Sequence, residues 1–331
     1  MEKFLKLLAI AAALLAAAST PASSQQAIRL GTSSVGSTFY VIAVGMSKLI
    51  QEHAGYNTTV EPLGGSHANV FGLDRKKVDF AVANSGATYD GYFGNAPFTK
   101  KMNIRIVLQG QPTFRGIFIR KGSGIRSARD LVGKVFLAKR KPLPELEKLA
   151  NAYIAVNHLP KDKIKMVSSV NLGEMNRMLR AGTVDLVSYP FGLRQPVMTK
   201  LFNDNIVEPL IMSEKTYDAV MKRLPDMFYR YRIKANQFKN QPKAFPTFGL
   251  TTQLAASAAT PEETVYKVVK AILGNLKEFA KIHGSARQWN AKRTVSDPKI
   301  PFHPGTIRYL KEVGLWNAKL AAVQKRLLSR M

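Results

Sequence analysis

Small hydroxyl and amide side chains follow three predicted strands, where they could bind a small ligand. The first loop, 31–38 (GTSSVGST), leaves a strand and opens a helix, so hydroxyls and free helix N–H groups converge there. Gly64-Gly65-Ser66 and Asn84-Ser85-Gly86 end the next two strands. Because ligands bind outside the carboxyl ends of strands in an open parallel sheet, the three loops predict an anion site. Taken alone, the first loop could equally be a helix N-cap without a ligand.

Positive charge and aromatic rings follow two strands farther along the chain. Lys139-Arg140-Lys141 comes directly after one predicted strand, and Tyr189-Pro190-Phe191-Gly192 comes after another. Facing the first three loops, these residues would supply charge and apolar surface to the same ligand. The alternatives are a solvated basic loop for the triplet and a place in the core for the two aromatic residues.

Motifs for catalysis and cofactors are absent from the sequence. It contains no GxSxG elbow, no GxGxxG or Walker loop, and no HxxxH or HExxH pairing among His53, His67, His158, His283 and His303. Ser33 or Ser85 could pair with His67 as nucleophile and base, but no third orienting group is implied by the spacing. We therefore expect no enzyme activity, no cofactor and no metal site.

The charge balance favours anionic partners. The 331 residues include 49 Lys plus Arg against 22 Asp plus Glu, a net charge of +27. The basic residues are scattered rather than striped, so a small anion is favoured over nucleic acid. Cysteine is absent, which excludes disulfides, thiolate zinc sites and Cys nucleophiles.

The chain reads as α/β, with two doubly wound lobes joined by two crossover strands. Strand and helix patterns alternate over 27–83 and again over 134–189, which is typical of parallel sheets. The stretches 105–109, 115–120 and 247–254 are β-rich, and the final third is helical. We predict lobe one over 25–117 and 250–331, and lobe two over 118–249.

The N-terminus has the pattern of a secretory signal peptide. Lys3 and Lys6 precede an apolar run over 7–18, which is too short to span a bilayer. Small residues follow it, so we predict a signal peptide over 1–24, cleavage before Gln25 and a periplasmic mature protein. Cleavage after Ala22 is the alternative.

Five segments carry a family resemblance. They are 31–40 (GTSSVGSTFY), 62–66 (PLGGS), 78–85 (VDFAVANS) with Tyr89, 122–135 (GSGIRSARDLVGKV) and 301–309 (PFHPGTIRY). On these segments the chain resembles the TAXI-type solute-binding proteins of TRAP transporters. The departure lies at 138–144 (AKRKPLP), where family members usually carry a Gly/Ser/Thr-rich loop. The family's ligand contacts at that loop do not carry over, and Arg or Lys could serve a different anion there.

The resemblance implies a type II periplasmic binding fold with the ligand between the lobes. It also implies a small carboxylate ligand such as glutamate or 2-oxoglutarate, and presentation of that ligand to the membrane permease subunits of a TRAP transporter. A periplasmic sensor component without a transport role is the alternative, and a hydrolase is a weaker one. The candidate ligand-binding residues are Ser33, Ser37, Thr38, Phe39, Tyr40, Gly65, Ser66, Asn84, Ser85, Tyr89, Arg140, Tyr189 and Phe191.

Overall fold

The computed structural model describes residues 27–331, so the signal-peptide prediction lies outside the described residues. The strands are β1 (Ala27–Ser33), β2 (Asn57–Gly64), β3 (Phe80–Asn84), β4 (Ile104–Arg120), β5 (Val135–Lys139), β6 (Lys165–Ser168), β7 (Leu186–Phe191), β8 (Val207–Pro209), β9 (Tyr229–Ile233) and β10 (Phe245–Ser257). The helices are α1 (Thr38–Ala54), α2 (Ser66–Asp74), α3 (Ser85–Phe93), α4 (Glu145–Val156), α5 (Leu172–Arg180), α6 (Pro196–Asn203), α7 (Glu214–Met221), α8 (Glu262–Gly274), α9 (Leu276–Ile282), α10 (Ala291–Thr294), α11 (Pro304–Glu312) and α12 (Ala318–Leu328). Three short 3₁₀ helices cover Ala128–Leu131, Lys161–Lys163 and Gly284–Gln288.

Lobe one is built on three parallel strands in the order β2-β1-β3. Helix α1 begins directly after β1 because the Ser37 side chain accepts a hydrogen bond from the backbone N–H of Tyr40 at 3.2 Å. It ends at Gly55, which adopts a left-handed conformation with φ of 73°. The apolar face of α1, with Ile42, Met46 and Leu49, is buried against the sheet.

Lobe two repeats this plan with the parallel strands β7-β5-β6. Its core is aromatic, with Phe118, Tyr189, Phe191 and Phe202 fully buried in edge-to-face contacts around Phe118. The two units predicted from the alternating strands and helices are therefore both present.

Two long antiparallel strands, β4 and β10, link the lobes. β10 pairs with β3 at one end and with β9 at the other, while β4 pairs with β7. The β-rich stretches 105–109 and 115–120 belong to a single strand of 17 residues, which continues through Pro112. The predicted lobe limits at 117/118 and 249/250 fall inside these strands, and the division at those residues remains a prediction.

The C-terminal helices pack on lobe one. Helix α8 lies against α1, and α11 lies against α8. The buried His303 caps α11 by accepting from the N–H of Gly305 at 3.2 Å. A Cβ at Gly305 would lie 2.4 Å from the carbonyl oxygen of Glu262, so the close approach of α11 to α8 requires glycine there. No helix within residues 27–331 has the length and apolar character needed to cross a membrane.

Candidate functional site

A pocket lies between the two lobes beside β4. Its wall is formed by the β1–α1 loop, the start of α2, the middle of β4, the β5–α4 loop and the end of β7. The lining residues are Ser33, Ser37, Thr38, Phe39, Ser66, Gln111, Pro112, Thr113, Arg115, Arg140, Leu143, Leu172, Pro190, Phe191, Gly192, Gln195 and Ser285. The pocket therefore combines apolar walls with hydroxyl, amide and guanidinium groups, as small-molecule sites do.

The lobe-one wall presents hydroxyl groups at the helix starts. The Ser33 hydroxyl donates to the carbonyl oxygen of Gly64 at 3.4 Å, and the Ser66 hydroxyl accepts from the N–H of Asn84 at 3.0 Å. Thr38 differs, because its buried Oγ1 has no hydrogen-bond partner within residues 27–331. That hydroxyl is free to bond to a ligand in the pocket.

The floor of the pocket is one face of β4. Gln111, Thr113 and Arg115 alternate along the strand, so their side chains lie on the same face. The side-chain Oε1 of Gln111 accepts from the indole N–H of Trp289, whereas its buried Nε2 has no partner among the described residues. Gln111 therefore adds a second free donor to the pocket.

Arg115 lies in the floor with only 1% of its surface exposed, and a carboxylate neutralises it. Its Nε and Nη2 both donate to Oε1 of Glu145, at 3.1 and 2.7 Å. Nη1 donates to the hydroxyl of Thr113 and to the carbonyl oxygen of Phe114. Burial alone would raise the pKa of Glu145, but the charges of Arg115 and His67 and the bonds from Arg115 hold it below its ordinary value.

Arg140 lies across the pocket and is equally buried, at 2% exposed. Its Nη2 donates to the Ser34 hydroxyl at 2.9 Å and to the Gly64 carbonyl oxygen at 2.6 Å, both on lobe one. Neither Nε nor Nη1 donates to any atom of residues 27–331, and no carboxylate in that range lies within 4 Å. Burial lowers the pKa of Arg140 to about 10, opposed by Tyr189 and Glu145, so the group stays charged at pH 7.

The lobes also touch directly beside the pocket. The N–H of His67 donates to the carbonyl oxygen of Pro142 at 3.3 Å, and the Asn84 amide donates to Glu145 at 2.8 Å. A Cβ at Gly65 would lie 2.8 Å from the Pro142 oxygen, so only glycine allows this approach. The structure is therefore a closed arrangement on this side of the cleft.

Part of the predicted ligand-binding set lines the pocket: Ser33, Ser37, Thr38, Phe39, Ser66, Arg140 and Phe191. The remainder lies outside its lining: Tyr40, Gly65, Asn84, Ser85, Tyr89 and Tyr189. Tyr40 is the third residue of α1, and only its backbone N–H takes part in the cap. Gly65 packs on Pro142 from the other lobe.

Three of these displaced residues are held by other hydrogen bonds. Asn84 caps α3 and bonds to Glu145, and the Ser85 hydroxyl accepts from the N–H of Thr251 on β10. Tyr189 is buried under α5, where its hydroxyl donates to Asn176 at 2.7 Å and burial raises its pKa. Tyr89 instead packs its ring on Phe93 within the lobe-one core.

Sequence reasoning missed the floor of the pocket. Gln111, Thr113 and Arg115 recur at every second position of a strand that is largely apolar and buried, and this period-two polar pattern is a signal in the sequence. Leu143, Leu172, Gln195 and Ser285 reach the pocket only through the packing of the lobes, and their neighbours in sequence carry no such signal.

The serine and histidine pairs considered for hydrolysis do not form. The Ser33 hydroxyl donates to Gly64, and the Ser85 hydroxyl accepts from Thr251. His67 lies 3.3 Å from Asp90 through Nε2, and its Nδ1 is 3.7 Å from Oε2 of Glu145. Within residues 27–331 neither serine hydroxyl is bonded to an imidazole, so a nucleophile with a base is not assembled.

One group of side chains among residues 27–331 has the spacing of cation ligands: Glu52, His53 and Glu278. It lies on the surface, far from the pocket lining. The ammonium of Lys48 is 2.7 Å from Glu278 and 3.5 Å from Glu52, so a side chain already supplies the positive charge. We therefore assign it no metal.

Solved structures of periplasmic binding proteins share this two-lobed fold. BugD matches with a TM-score of 0.56 at 13% identity, over 92% of this chain and 98% of its own. MatC from Rhodopseudomonas palustris with bound malate matches with a TM-score of 0.55 at 11% identity, over 91% of this chain and 99% of its own. An R. palustris protein with adipate matches with a TM-score of 0.54 at 14% identity, over 93% of this chain and 98% of its own. The fold is that of the type II periplasmic binding proteins, as the sequence predicted.

The chain belongs to the NMT1-like family, whose sequence model matches residues 30–314. The structural neighbours named above are binding proteins, two of them with a bound organic acid, in agreement with the expectation from the sequence that the chain is not an enzyme. The family and the fold therefore support the prediction of a periplasmic binding protein, whereas the TAXI subtype remains a prediction.

Proposed function

We propose that this protein is an extracytoplasmic receptor that captures a small organic anion, a carboxylate, between its lobes. The observation that supports this proposal is the unpaired, buried charge of Arg140. Its guanidinium is buried in the pocket, keeps unused N–H donors, and has no carboxylate partner within residues 27–331. An unpaired buried charge is costly, and a carboxylate ligand would remove that cost with charge-assisted hydrogen bonds.

The lobes explain how binding becomes a signal. Arg140 comes from lobe two, while Thr38 and Ser33 come from lobe one, so a ligand touches both walls only when the lobes are together. Binding would therefore shift the population toward the closed form. We propose that a membrane permease of the TRAP type reads this form, as the TAXI-like motifs suggest, and that the mature protein acts in the periplasm.

The test is a thermal-shift and calorimetric screen of organic acids, amino acids and neutral sugars against the purified mature protein. A ligand at a hundred times its Kd stabilises the folded state by about 2.7 kcal/mol. We expect acids to stabilise the protein. A response to neutral sugars alone would contradict the proposal.

The matched variants are Arg140→Met and Lys141→Met. Loss of one charge-assisted bond costs about 1.5–3 kcal/mol, so Arg140→Met should weaken acid binding on the order of tenfold to a hundredfold. Lys141 is the exposed neighbour of Arg140, and its replacement should leave the affinity unchanged. Equal affinities for both variants would show that Arg140 does not bind the ligand.

A permease partner can be tested separately. The mature protein loaded with an acid from the screen should bind a TRAP-type permease from the same organism in detergent, and the ligand-free protein should bind it less. Binding to a sensor kinase instead would favour the sensory alternative.

A further inference from the structure

We infer that the pocket selects a monocarboxylate whose remaining part is uncharged, and that it excludes dicarboxylates and amino acids. This inference rests on the proposed function and narrows its ligand class. It follows from which charges in the pocket are already matched by the protein and which are not.

Arg115 offers no unmatched charge. Glu145 accepts from it twice, and Thr113 and Phe114 accept from its Nη1. The Asn84 amide also donates to the same carboxylate oxygen, so the pair is held from both lobes. A ligand carboxylate beside Arg115 would have to compete with Glu145, whose own charge would repel it.

Arg140 offers one unmatched charge. Two acceptors on lobe one occupy its Nη2, and both are uncharged: the Ser34 hydroxyl and the Gly64 carbonyl oxygen. The two guanidiniums and the one carboxylate therefore leave one positive charge for the ligand. A second ligand carboxylate would lie in the pocket without a counter-charge, and its loss of hydration would not be offset by an ion pair.

No acidic residue lines the pocket. The lining within residues 27–331 contains no Asp or Glu, and Oε2 of Glu145 lies toward His67 rather than in the lining. His67 and Lys148 in turn face Asp90, at 3.3 and 3.6 Å, so that carboxylate is also engaged outside the pocket. The ammonium group of an amino acid would find no carboxylate partner.

The rest of the lining fits an uncharged group. Phe39, Leu143, Leu172 and Phe191 offer apolar surface. Thr38 Oγ1 and Gln111 Nε2 are buried donors without partners among the described residues, and a keto or hydroxyl oxygen would satisfy them. The ligand class that fits is a short oxo- or hydroxy-monocarboxylate.

The test compares ligands that share a carbon skeleton. The binding of 2-oxovalerate, 2-oxoglutarate and norvaline to the wild-type protein is measured by calorimetry at one pH and salt concentration, together with the shorter and longer 2-oxo and 2-hydroxy homologues. We expect each monocarboxylate to bind at least about tenfold more tightly than its dicarboxylate and amino-acid counterparts. Equal or tighter binding of a dicarboxylate or an amino acid would overturn the inference. If no acid binds, the proposed function itself fails.

The role of Glu145 is tested by Glu145→Gln. This change frees the charge of Arg115, so the preference for the monocarboxylate should shrink at least about tenfold or reverse. Glu147→Gln is the control, since Glu147 is on the same helix but half-exposed, 3.8 Å from Lys139. An unchanged ratio in a folded Glu145→Gln variant would overturn the charge-matching argument. If that variant does not fold, the wild-type comparison still decides.

Discussion

Arg115 and Arg140 line the same pocket and are buried to the same degree, yet the protein treats them differently. Arg115 has a carboxylate at 2.7 Å, and Arg140 has none within 4 Å in residues 27–331. A buried charge with a built-in counter-ion serves the fold, because breaking the pair leaves the other charge uncompensated. A buried charge without a counter-ion can bind a ligand that supplies the opposite charge. The difference predicts that replacing Arg115 mainly lowers stability, whereas replacing Arg140 mainly weakens ligand binding.

The largest effect should come from Arg115→Met. It leaves the Glu145 carboxylate buried without its partner, which costs about 3–5 kcal/mol in the free energy of unfolding. Urea unfolding followed by circular dichroism measures this loss. The double variant Arg115→Met, Glu145→Met should recover much of it, since an apolar pair of similar volume can replace an ion pair. A loss below about 1 kcal/mol in the single variant would show that the pair is not structural.

His303 shows how the same fold handles a buried group that can lose its charge. Burial lowers its pKa from 6.5 to about 4, with Arg105 adding to the effect and the backbone of Thr260 opposing it. The unfolded chain takes up the proton as the pH falls through 6.5, but the folded protein does not until about 4. The neutral His303 therefore contributes its full stabilisation above pH 6.5. Between pH 6.5 and pH 4 this contribution to the free energy of unfolding falls by about 3 kcal/mol.

The matched variant for this effect is His303→Asn. Asparagine keeps a side-chain acceptor for the N–H of Gly305 and so preserves the cap of α11, but it does not titrate. Urea midpoints measured between pH 7 and pH 4 should fall less steeply for the variant than for the wild type. Identical slopes would mean that His303 is not kept neutral by the fold. Unlike His303, Arg140 does not become neutral when it is buried, because a guanidinium remains protonated at these pH values.

A smaller effect is expected for the stability of the ligand-free Arg140→Met variant. It loses the bonds to Ser34 and Gly64, but it also removes a buried charge that no carboxylate matches. The two changes oppose each other, so the free energy of unfolding should stay within about 1 kcal/mol of the wild type. The same urea experiment tests this. A loss as large as that of Arg115→Met would erase the distinction between the two arginines.

The sequence predicted the parts of the site that depend on local structure. Ser33, Ser37 and Thr38 lie where a strand ends and a helix begins, and the capping pattern is readable from residue types alone. Arg140 was predicted for the analogous reason, as a charge directly after a strand. The fold class followed from the two runs of alternating strands and helices.

The parts that the sequence did not predict depend on contacts between distant segments. Glu145 reads as an acidic residue in the first turn of a helix, and only the packing of α4 on β4 brings it to Arg115, 30 positions away. Asn84 and Ser85 read as site residues, but the closed lobes and β10 use their side chains for structural bonds. The tertiary structure therefore determines which buried arginine has a carboxylate partner.

The smallest effect is expected at the two lysines that flank Arg140. The basic triplet was a single prediction, but the structure divides it: Lys139 and Lys141 are exposed, and Lys139 lies 3.8 Å from Glu147. Exposed charges contribute little to binding and are screened by salt, with a Debye length of about 8 Å at physiological ionic strength. The double variant Lys139→Ala, Lys141→Ala should therefore keep its Kd for an acid within about twofold at physiological salt. At low salt it should lose only association rate, because the lysines can steer an anion toward the pocket without touching it. Titration and stopped-flow measurements at both salt concentrations separate the two effects. A tenfold weaker Kd at physiological salt would mean that the lysines contact the ligand, and that Arg140 does not act alone.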